Sequence, residues 1–404
     1  MTTRPLSDIS PGEKDSVSGW RVVWAVHALA AVTFGSAYAF SAVFAGLASE
    51  FHASRGEISL VFSISAFVFY ALGAIAGPLG DRWLTRNLII VGLIAMFVGY
   101  VGASQARSLA ELYCWYGAGV GLGIGLSYVP ALGAVQSWFD RRRSQASGIA
   151  TAGLGVGTLS IPAAVGWAAP HVGWRACFIA LATLIAVIGL PAAFLIVKRE
   201  ERPTRRYSGQ VAYLHPVTAW RNGTFRLFYA TILLASFCTF IPYVHLVPAA
   251  RDKGVFLEAG TALISLIGIG NIVGRFVLAG LGDRVGRLKL LALLTFAVAG
   301  SFVLWSVAGG FVMLGVFAVV FGMSYGGCVG LYPAVATDLF GTRHIGAMLG
   351  YLYTAVGVAA LLGPTVTGFV FDTTGSYFGS ILVSSAAAIA AGLLTRRLQL
   401  ARAA

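Results

Sequence analysis

The chain has 404 residues, of which 58% are hydrophobic and only 11% are charged, and its mean hydropathy is +0.82. A soluble domain is closer to half apolar and one quarter charged, so this composition excludes a water-soluble enzyme, a nucleic-acid-binding module and a disordered chain. At about 20 apolar residues per transmembrane helix, roughly 234 hydrophobic residues supply about twelve such helices. The net charge of +13 is attributed to basic loops at a membrane surface.

Twelve apolar segments follow one another along the chain, each long enough to cross a bilayer. They lie near residues 20–47, 57–79, 87–105, 109–136, 144–169, 174–197, 224–249, 260–281, 288–307, 310–337, 344–370 and 376–395. The start of the chain is polar and mixed in charge, unlike a signal peptide. We therefore predict an all-α membrane protein with a tail at 1–19, six-helix halves at 20–197 and 224–395, a linker at 198–223 and a second tail at 396–404.

The distribution of lysine and arginine predicts the orientation. With the amino terminus inside, one basic residue, Arg275, falls within a span, and 22 of the 28 lie on the inner side. The outer loops then hold five: Arg55, Arg107, Arg175, Arg251 and Lys253. Basic loops favour the cytoplasmic side, so we expect both termini to be cytoplasmic. Arginine outnumbers lysine, which favours a GC-rich bacterial genome and hence a bacterial inner membrane.

An internal repeat supports the two halves. The sequence Leu-Gly-Asp-Arg at 79–82 recurs at 281–284, an offset of 202 residues. The same offset relates Gly148 to Gly350 and Pro162 to Pro364. One constant offset of half the chain length indicates duplication. Paired six-helix halves are typical of transporters, which bind substrate near the membrane midplane between the halves.

Arg275 is the residue on which the functional prediction depends. It lies eight residues before Asp283 in the eighth segment, about 12 Å from the cytoplasmic end at 1.5 Å per residue. Burying arginine there costs at least about 2.5–3.5 kcal/mol, yet all fifteen acidic residues fall in tails, loops or helix ends. A guanidinium without a fixed counter-ion suggests that the substrate is the counter-ion, because its planar fork suits a carboxylate. Pairing with backbone carbonyls of an unwound helix is the alternative.

Other polar side chains in the spans are candidates for the same site. Asn271 lies one turn before Arg275 and shares its face. Tyrosines within the spans are as compatible with a core position as with a substrate contact. His245 lies between two prolines, in a segment that could gate access to the site, and its side chain could carry a proton. The predicted substrate-binding residues are Arg275, Asn271, Tyr116, Tyr325, Tyr353 and His245, with His245 or Asn271 as the proton-coupling candidate. Four cysteines lie in apolar stretches without a C-x-x-C pair, so we expect core residues and no metal site.

The run Gly280-Leu281-Gly282-Asp283-Arg284-Val285-Gly286-Arg287 resembles the loop signature of the major facilitator superfamily. The first copy departs from it, because Leu84 stands where the later glycine is expected. The resemblance implies the twelve-helix fold of that superfamily. A turn of this kind can cap backbone groups and latch neighbouring helices, which gives the predicted latch residues Asp81, Arg82, Asp283, Arg284 and Arg287.

A second resemblance narrows the range of expected substrates. The run from Trp138 to Gly153 is similar to the helix 5 signature of the monocarboxylate porters, whose helix 8 arginine, matched by Arg275, binds a carboxylate. Animal members carry an aspartate at the position of Asn271, so the proton-coupling group stays open. The oxalate–formate antiporters also resemble this chain at 352–357, but the dicarboxylate carrier has a lysine where Val356 stands. A single cation suits a monoanion, which implies lactate or pyruvate.

These observations predict a proton-coupled secondary transporter of a small monocarboxylate that works by alternating access. An organic-anion antiporter of the oxalate–formate type and a non-transporting membrane sensor are the alternatives. The spans hold no acid–base pair, metal cluster or activated nucleophile, which argues against an enzyme. The expected partners are a small carboxylate, a proton and the bilayer; we expect a monomer, without a cofactor or nucleic acid.

Overall fold

The structure, a computed structural model, describes residues 16–82, 85–139, 143–197, 216–340 and 345–403. Within these ranges every regular element is helical, which confirms the predicted all-α class. The predicted amino-terminal tail up to residue 15 and the linker from 198 to 215 lie outside the described residues. The predicted carboxyl-terminal tail from 396 continues as helix as far as residue 403.

Sixteen α-helices are present in the part of the chain that the structure describes. Their bounds are α1 Val17–Tyr38, α2 Phe40–Glu50, α3 Arg55–Arg82, α4 Thr85–Ser104, α5 Leu109–Leu112, α6 Gly121–Trp138, α7 Arg143–Leu184, α8 Leu190–Leu195, α9 Gly223–Thr239, α10 Ile241–Asp252, α11 Leu257–Val273, α12 Gly282–Val285, α13 Arg287–Val307, α14 Phe311–Phe340, α15 Ile345–Thr374 and α16 Phe378–Ala403. Several of these join end to end, so the number of membrane crossings is smaller than the number of helices.

Eleven helical runs among the described residues are long and apolar enough to cross a membrane. Ten correspond one to one with predicted segments, and the eleventh, Ala146–Leu195, is 50 residues long and covers both the fifth and the sixth. A continuous helix of that length measures about 75 Å, more than twice the roughly 30 Å hydrocarbon core. Gly173 interrupts the run with φ 78° and ψ 162°, a conformation that glycine adopts readily. The predicted count of twelve stays a prediction.

Other spans contain local breaks. Phe240 separates α9 from α10, two residues before Pro242 at the start of α10, as expected where proline cannot donate a backbone hydrogen bond. Three short stretches are π-helical: Tyr113–Val120, Ile185–Gly189 and Gly274–Leu278. Such stretches often occur at functional sites, and the last of them contains Arg275.

The most extensive helix contacts join α3 to α15, α1 to α7, α11 to α14 and α13 to α16. Glycine makes these close contacts possible, as expected for helices packed in a membrane. A Cβ on Gly157 of α7 would lie 2.0 Å from the carbonyl oxygen of Ala31 in α1. The glycine run of the fourth predicted span packs in the same way: a Cβ on Gly119 would meet Gly99, and one on Gly123 would meet Met96. The glycines of this span, Gly117, Gly119, Gly121, Gly123 and Gly125, therefore pack against neighbouring helices.

Replacing Gly157 by alanine is expected to destabilise the protein by about 1–3 kcal/mol, because the added methyl group overpacks the contact between α1 and α7. Gly133 in α6 offers the matched control, since a Cβ there meets no atom within 4 Å. Gly133→Ala should leave thermal unfolding in detergent unchanged or raise its midpoint, in keeping with the better helix propensity of alanine. Equal midpoints for Gly157→Ala and the unmodified protein would contradict this packing argument.

Candidate substrate-binding site

Arg275 stands directly after α11, in the π-helical stretch Gly274–Leu278. The backbone of α14 approaches closely here: a Cβ on Gly274 would lie 2.1 Å from the carbonyl oxygen of Met323, and one on Gly270 would lie 2.5 Å from that of Val319. These two glycines therefore serve close packing rather than providing room for a ligand. The predicted one-turn relation between Asn271 and Arg275 is retained, because the two side chains contact one another.

The Arg275 guanidinium binds an amide rather than an acid. Its Nε donates to Oδ1 of Asn271 over 2.7 Å, which leaves both Nη groups for other partners. Asn271 is only 1% exposed, and its Nδ2 has no hydrogen-bond partner among the described residues. The ion pairs within the described ranges join Arg55 to Asp252, Arg175 to Glu50 and Arg287 to Asp338, and none of them includes Arg275.

Phenol groups from several helices lie near enough to Arg275 to interact with it electrostatically. Tyr128 lies near the guanidinium, and Tyr243 lies near Asn271 but makes no hydrogen bond with its Nδ2. Six tyrosines, each from a different helix among the described residues, interact electrostatically with Arg275: Tyr38, Tyr70, Tyr128, Tyr243, Tyr325 and Tyr353. The arginine is therefore directed towards a region that six helices share and that contains several phenol hydroxyl groups.

Two of the three predicted tyrosines, Tyr325 and Tyr353, lie near enough to Arg275 to interact with it electrostatically. The third, Tyr116, is fully buried, donates to the carbonyl oxygen of Ala37 over 3.1 Å and packs against Tyr100 and Phe178. Sequence reasoning did not select Tyr38, Tyr70, Tyr128 or Tyr243. The available signal was a tyrosine within an apolar span, which needs a polar partner, but that signal does not say which face of the helix carries it.

Two of these tyrosines, Tyr38 and Tyr70, line a small aromatic cavity. Phe34, Phe69 and Phe240 line it as well. The rings of Phe34 and Phe69 meet edge to face at 5.5 Å, and Tyr38 stacks on Tyr243 at 4.2 Å. This cavity is lined by apolar rings with a few hydroxyl groups, and such a lining favours a compact apolar group on a ligand.

His245 belongs to a different group of side chains. It is fully buried, with Nε2 2.8 Å from the carbonyl oxygen of Pro364 and Nδ1 3.2 Å from the hydroxyl of Tyr377. These partners lie towards the end of the bundle that the charge distribution predicts to be extracellular. The structure therefore brings Asn271, Tyr325 and Tyr353 together with Arg275, and it gives Tyr116 and His245 other partners.

The predicted latch is described only in part. Arg287, at the start of α13, pairs with Asp338 of α14 over 2.8 Å, and Arg284 is exposed. Gly286 adopts φ 97° between α12 and α13, which is the conformation that favours glycine at this position of the motif. The side chains of Asp81, Arg82 and Asp283 lie outside the described part of the chain, as does Leu84.

The cysteines form no disulfide bond: all four are free, with three buried and Cys114 exposed. The prediction that all four are core residues is therefore wrong for Cys114, which lies in the π-helical stretch Tyr113–Val120. No group of three or more histidine, cysteine, aspartate or glutamate side chains is placed to hold a metal ion in the described ranges.

The described residues form a bundle of membrane-length helices, as expected of an integral membrane protein. The sequence matches the Major Facilitator Superfamily over residues 26–364 and 258–402. Because these matches span most of the chain, the protein belongs to that superfamily of transporters and is not an enzyme.

Individual proteins of known name or structure are similar to this chain over most of its length. The chain is 28% identical to monocarboxylate transporter 13 of Bos taurus over 371 residues, covering 91% of this chain and 86% of the relative. It is also 28% identical to human monocarboxylate transporter 11, covering 95% of this chain and 82% of the relative. A solved structure of a bacterial homologue of the human lysosomal transporter Spinster, inward-facing and occupied, has a TM-score of 0.70 at 17% identity, covering 94% of this chain and 96% of that one.

Proposed function

We propose that the protein is a secondary active transporter of a small monocarboxylate of the lactate and pyruvate class, in which Arg275 binds the carboxylate. The observation that carries this proposal is that Arg275 has no carboxylate partner among the described residues. Its hydrogen-bond partner, Asn271, is neutral, and the described ion pairs leave it without a carboxylate. A substrate carboxylate supplies the missing negative charge and accepts from the two Nη groups in the bidentate geometry that arginine favours.

The neighbouring donors suit a carboxylate that carries one further oxygen. The Nδ2 group of Asn271 is buried without a partner among the described residues, and an unsatisfied buried donor costs about 1–3 kcal/mol. A hydroxyl or keto oxygen next to the carboxylate can accept from this amide while the acid group binds Arg275. This pattern favours 2-hydroxy and 2-oxo monocarboxylates, and the likeness to transporters named for monocarboxylates supports the same class.

The charge of the substrate follows from the number of cations in the site. The electrostatic partners that Arg275 shows within the described ranges are tyrosines. Val356 lies three residues after Tyr353, on the same face of α15, and is only 6% exposed. One guanidinium balances one carboxylate, so a monoanion is favoured over the dianion expected of an oxalate–formate type of antiporter.

The transport cycle is alternating access between two six-helix halves in a twelve-span bundle, with both termini cytoplasmic in a bacterial inner membrane. A carboxylate is ionised at neutral pH and cannot cross lipid alone. A proton that moves with it makes the load electroneutral, so we expect proton-coupled symport by a monomer. A sensor would bind the same ligand without moving it, and measured uptake separates the two functions.

Arg275→Ala should abolish proton-driven uptake of labelled lactate into proteoliposomes. Truncating one partner of a buried charge pair costs about 2–5 kcal/mol, and a cost of about 3 kcal/mol lowers affinity by roughly a hundredfold. Arg226→Ala removes an exposed arginine at the start of α9 and is the matched control, with uptake expected to be unchanged. Wild-type uptake by a correctly folded Arg275→Ala protein would overturn the proposed role.

Val356→Lys should shift the substrate preference from monocarboxylates towards dicarboxylates, because it adds a second cation on the face of α15 that carries Tyr353. We expect a change of about tenfold or more in the ratio of the two affinities, equivalent to about 1.4 kcal/mol. Val356→Met, which keeps an apolar side chain, is the control. An unchanged ratio, measured by competition with labelled lactate, would count against charge matching.

Asn271→Asp should make lactate binding strongly dependent on pH. The new carboxylate pairs with Arg275 when ionised and competes with the substrate, so affinity should fall as the pH rises and recover on acidification. Binding to the purified protein at a series of pH values is the measurement. Equal affinities for variant and wild-type protein throughout the series would mean that the bond between residue 271 and Arg275 does not bear on substrate binding.

A further inference from the structure

We propose that the end of the bundle predicted to be extracellular carries a proton-sensitive gate, in which His245 binds a proton only when α3, α10 and α15 have separated. The inference rests on the proposed function for its consequence alone, which is that an acidic exterior opens the path by which the carboxylate enters. The group of side chains concerned, called the outer cluster below, consists of Arg55, Ser59, His245, Asp252, Pro364, Asp372 and Tyr377.

One carboxylate fixes the start of α3 against the end of α15. Asp372 accepts from the backbone N–H of Arg55 over 2.9 Å and from that of Gly56 over 2.8 Å. A negative charge at a helix amino terminus is favourable. The two backbones also meet directly, since a Cβ on Gly368 would lie 2.6 Å from Cα of Gly56. The outer ends of α3 and α15 are therefore in direct contact in this conformation.

Arg55 connects α3 to two further elements. Its Nη1 and Nη2 donate to the two carboxylate oxygens of Asp252 in α10, each over 2.7 Å, and this bidentate geometry is the strong form of the pair. Nη1 also donates to the hydroxyl of Tyr377, before α16, over 2.7 Å. The guanidinium lies 3.9 Å from the ring centre of Phe371. One side chain thus holds three helix ends together.

The hydrogen bonds of His245 define which ring nitrogen carries hydrogen. Nε2 faces the carbonyl oxygen of Pro364, which can only accept, and the hydroxyl of Ser59 at 3.1 Å. Ser59 already donates to the carbonyl oxygen of Arg55, so both groups near Nε2 act as acceptors and Nε2 carries the hydrogen. Nδ1 is then an acceptor for the hydroxyl of Tyr377. Neutral histidine satisfies every bond in the closed arrangement.

Tyr377, which lies between the two last spans, retains the hydrogen that this arrangement requires. Burial raises the pKa of its phenol above the ordinary value, and the neighbouring Arg55 guanidinium offsets that rise only in part. The phenol therefore stays protonated at physiological pH, accepts from Arg55 and donates to Nδ1 of His245.

A second proton on His245 is incompatible with the closed arrangement. Protonated Nδ1 becomes a donor, so Tyr377 loses the acceptor for its own hydrogen while its oxygen faces two cationic donors. The imidazolium also lies near Arg55, a like charge. The other charged groups that face the cluster within the described ranges are Asp252 and Asp372, and both are already bonded, to the Arg55 guanidinium and to the start of α3. Protonation therefore favours separation of the helix ends.

Opening and closing of the gate also decide when a proton can reach His245. His245 is fully buried while the gate is closed, so water reaches Nδ1 only after opening. An acidic exterior therefore stabilises the open gate, and closure requires that His245 give up its proton. In a proton-coupled carrier this makes outward opening more frequent when the proton gradient is directed inwards, which is when uptake of a carboxylate is driven.

The experiment measures the gate without any substrate. Arg107 and Gly309 lie in exposed loops predicted to be extracellular, and a side chain at Gly309 meets no atom within 4 Å. Spin labels on cysteines introduced at these two positions, in a background with the four native cysteines replaced by serine, report the outer separation by pulsed electron–electron distance measurements in lipid nanodiscs. The separation is recorded from about pH 8 down to about pH 4, a range that includes the ordinary titration of histidine.

The population with the longer separation should rise as the pH falls, by at most about tenfold for each pH unit for a single linked proton. His245→Asn keeps a donor and an acceptor but cannot titrate, so its distribution should not respond to pH. Tyr377→Phe is a second variant in which opening should increase at every pH and the pH response should shrink. His171→Asn, at an exposed histidine, is the matched control and should respond as the wild-type protein does.

A pH-independent distribution in the wild-type protein, or a full response in His245→Asn, would overturn the gate proposal. Neither result would bear on Arg275, because no carboxylate is present in the measurement. Conversely, failure of lactate uptake in proteoliposomes would overturn the proposed function and leave the response of the gate to pH unaffected.

Discussion

A guanidinium held among hydrocarbon and aromatic rings, without a carboxylate among its described partners, is the constraint on which this structure depends. Arg275 is partly buried, and among the described residues its neighbours are one neutral amide and several phenols rather than an acid. Asn271 orients the side chain through Nε, and the tyrosines supply dipoles that do not cancel its charge. A fixed aspartate or glutamate would stabilise the folded protein more and would also occupy the groups that an anionic ligand needs.

The sequence was sufficient to predict the helical class, ten of the spans one to one, and the pairing of Arg275 with Asn271. Hydrophobic runs about 20 residues long leave few alternatives in a membrane, and two residues one turn apart must share a face. These are local properties, and each follows from spacing along one helix.

The rest depends on contacts between helices, which no single segment encodes. The tyrosines around Arg275 come from six different helices, so their convergence requires the packing of the whole bundle. Tyr116 and Tyr128 lie in one span, yet only Tyr128 approaches the guanidinium. Tyr116 instead donates to a carbonyl of α1, and which of the two tyrosines faces Arg275 depends on how this span packs against its neighbours.

Helix α10 links the central site to the outer cluster. It begins at a break at Phe240 and carries Pro242 in its first turn, so it is not continuous with α9. Tyr243 faces inwards, where its ring stacks on Tyr38 at 4.2 Å, while His245, two residues later and on another face, contacts the carbonyl oxygen of Pro364 in α15. Separation of α10 from α3 and α15 must therefore also displace Tyr243 from the surroundings of Asn271 and Arg275. Because the same short helix lies in both places, the proposed gate links opening of the outer end to the surroundings of Arg275.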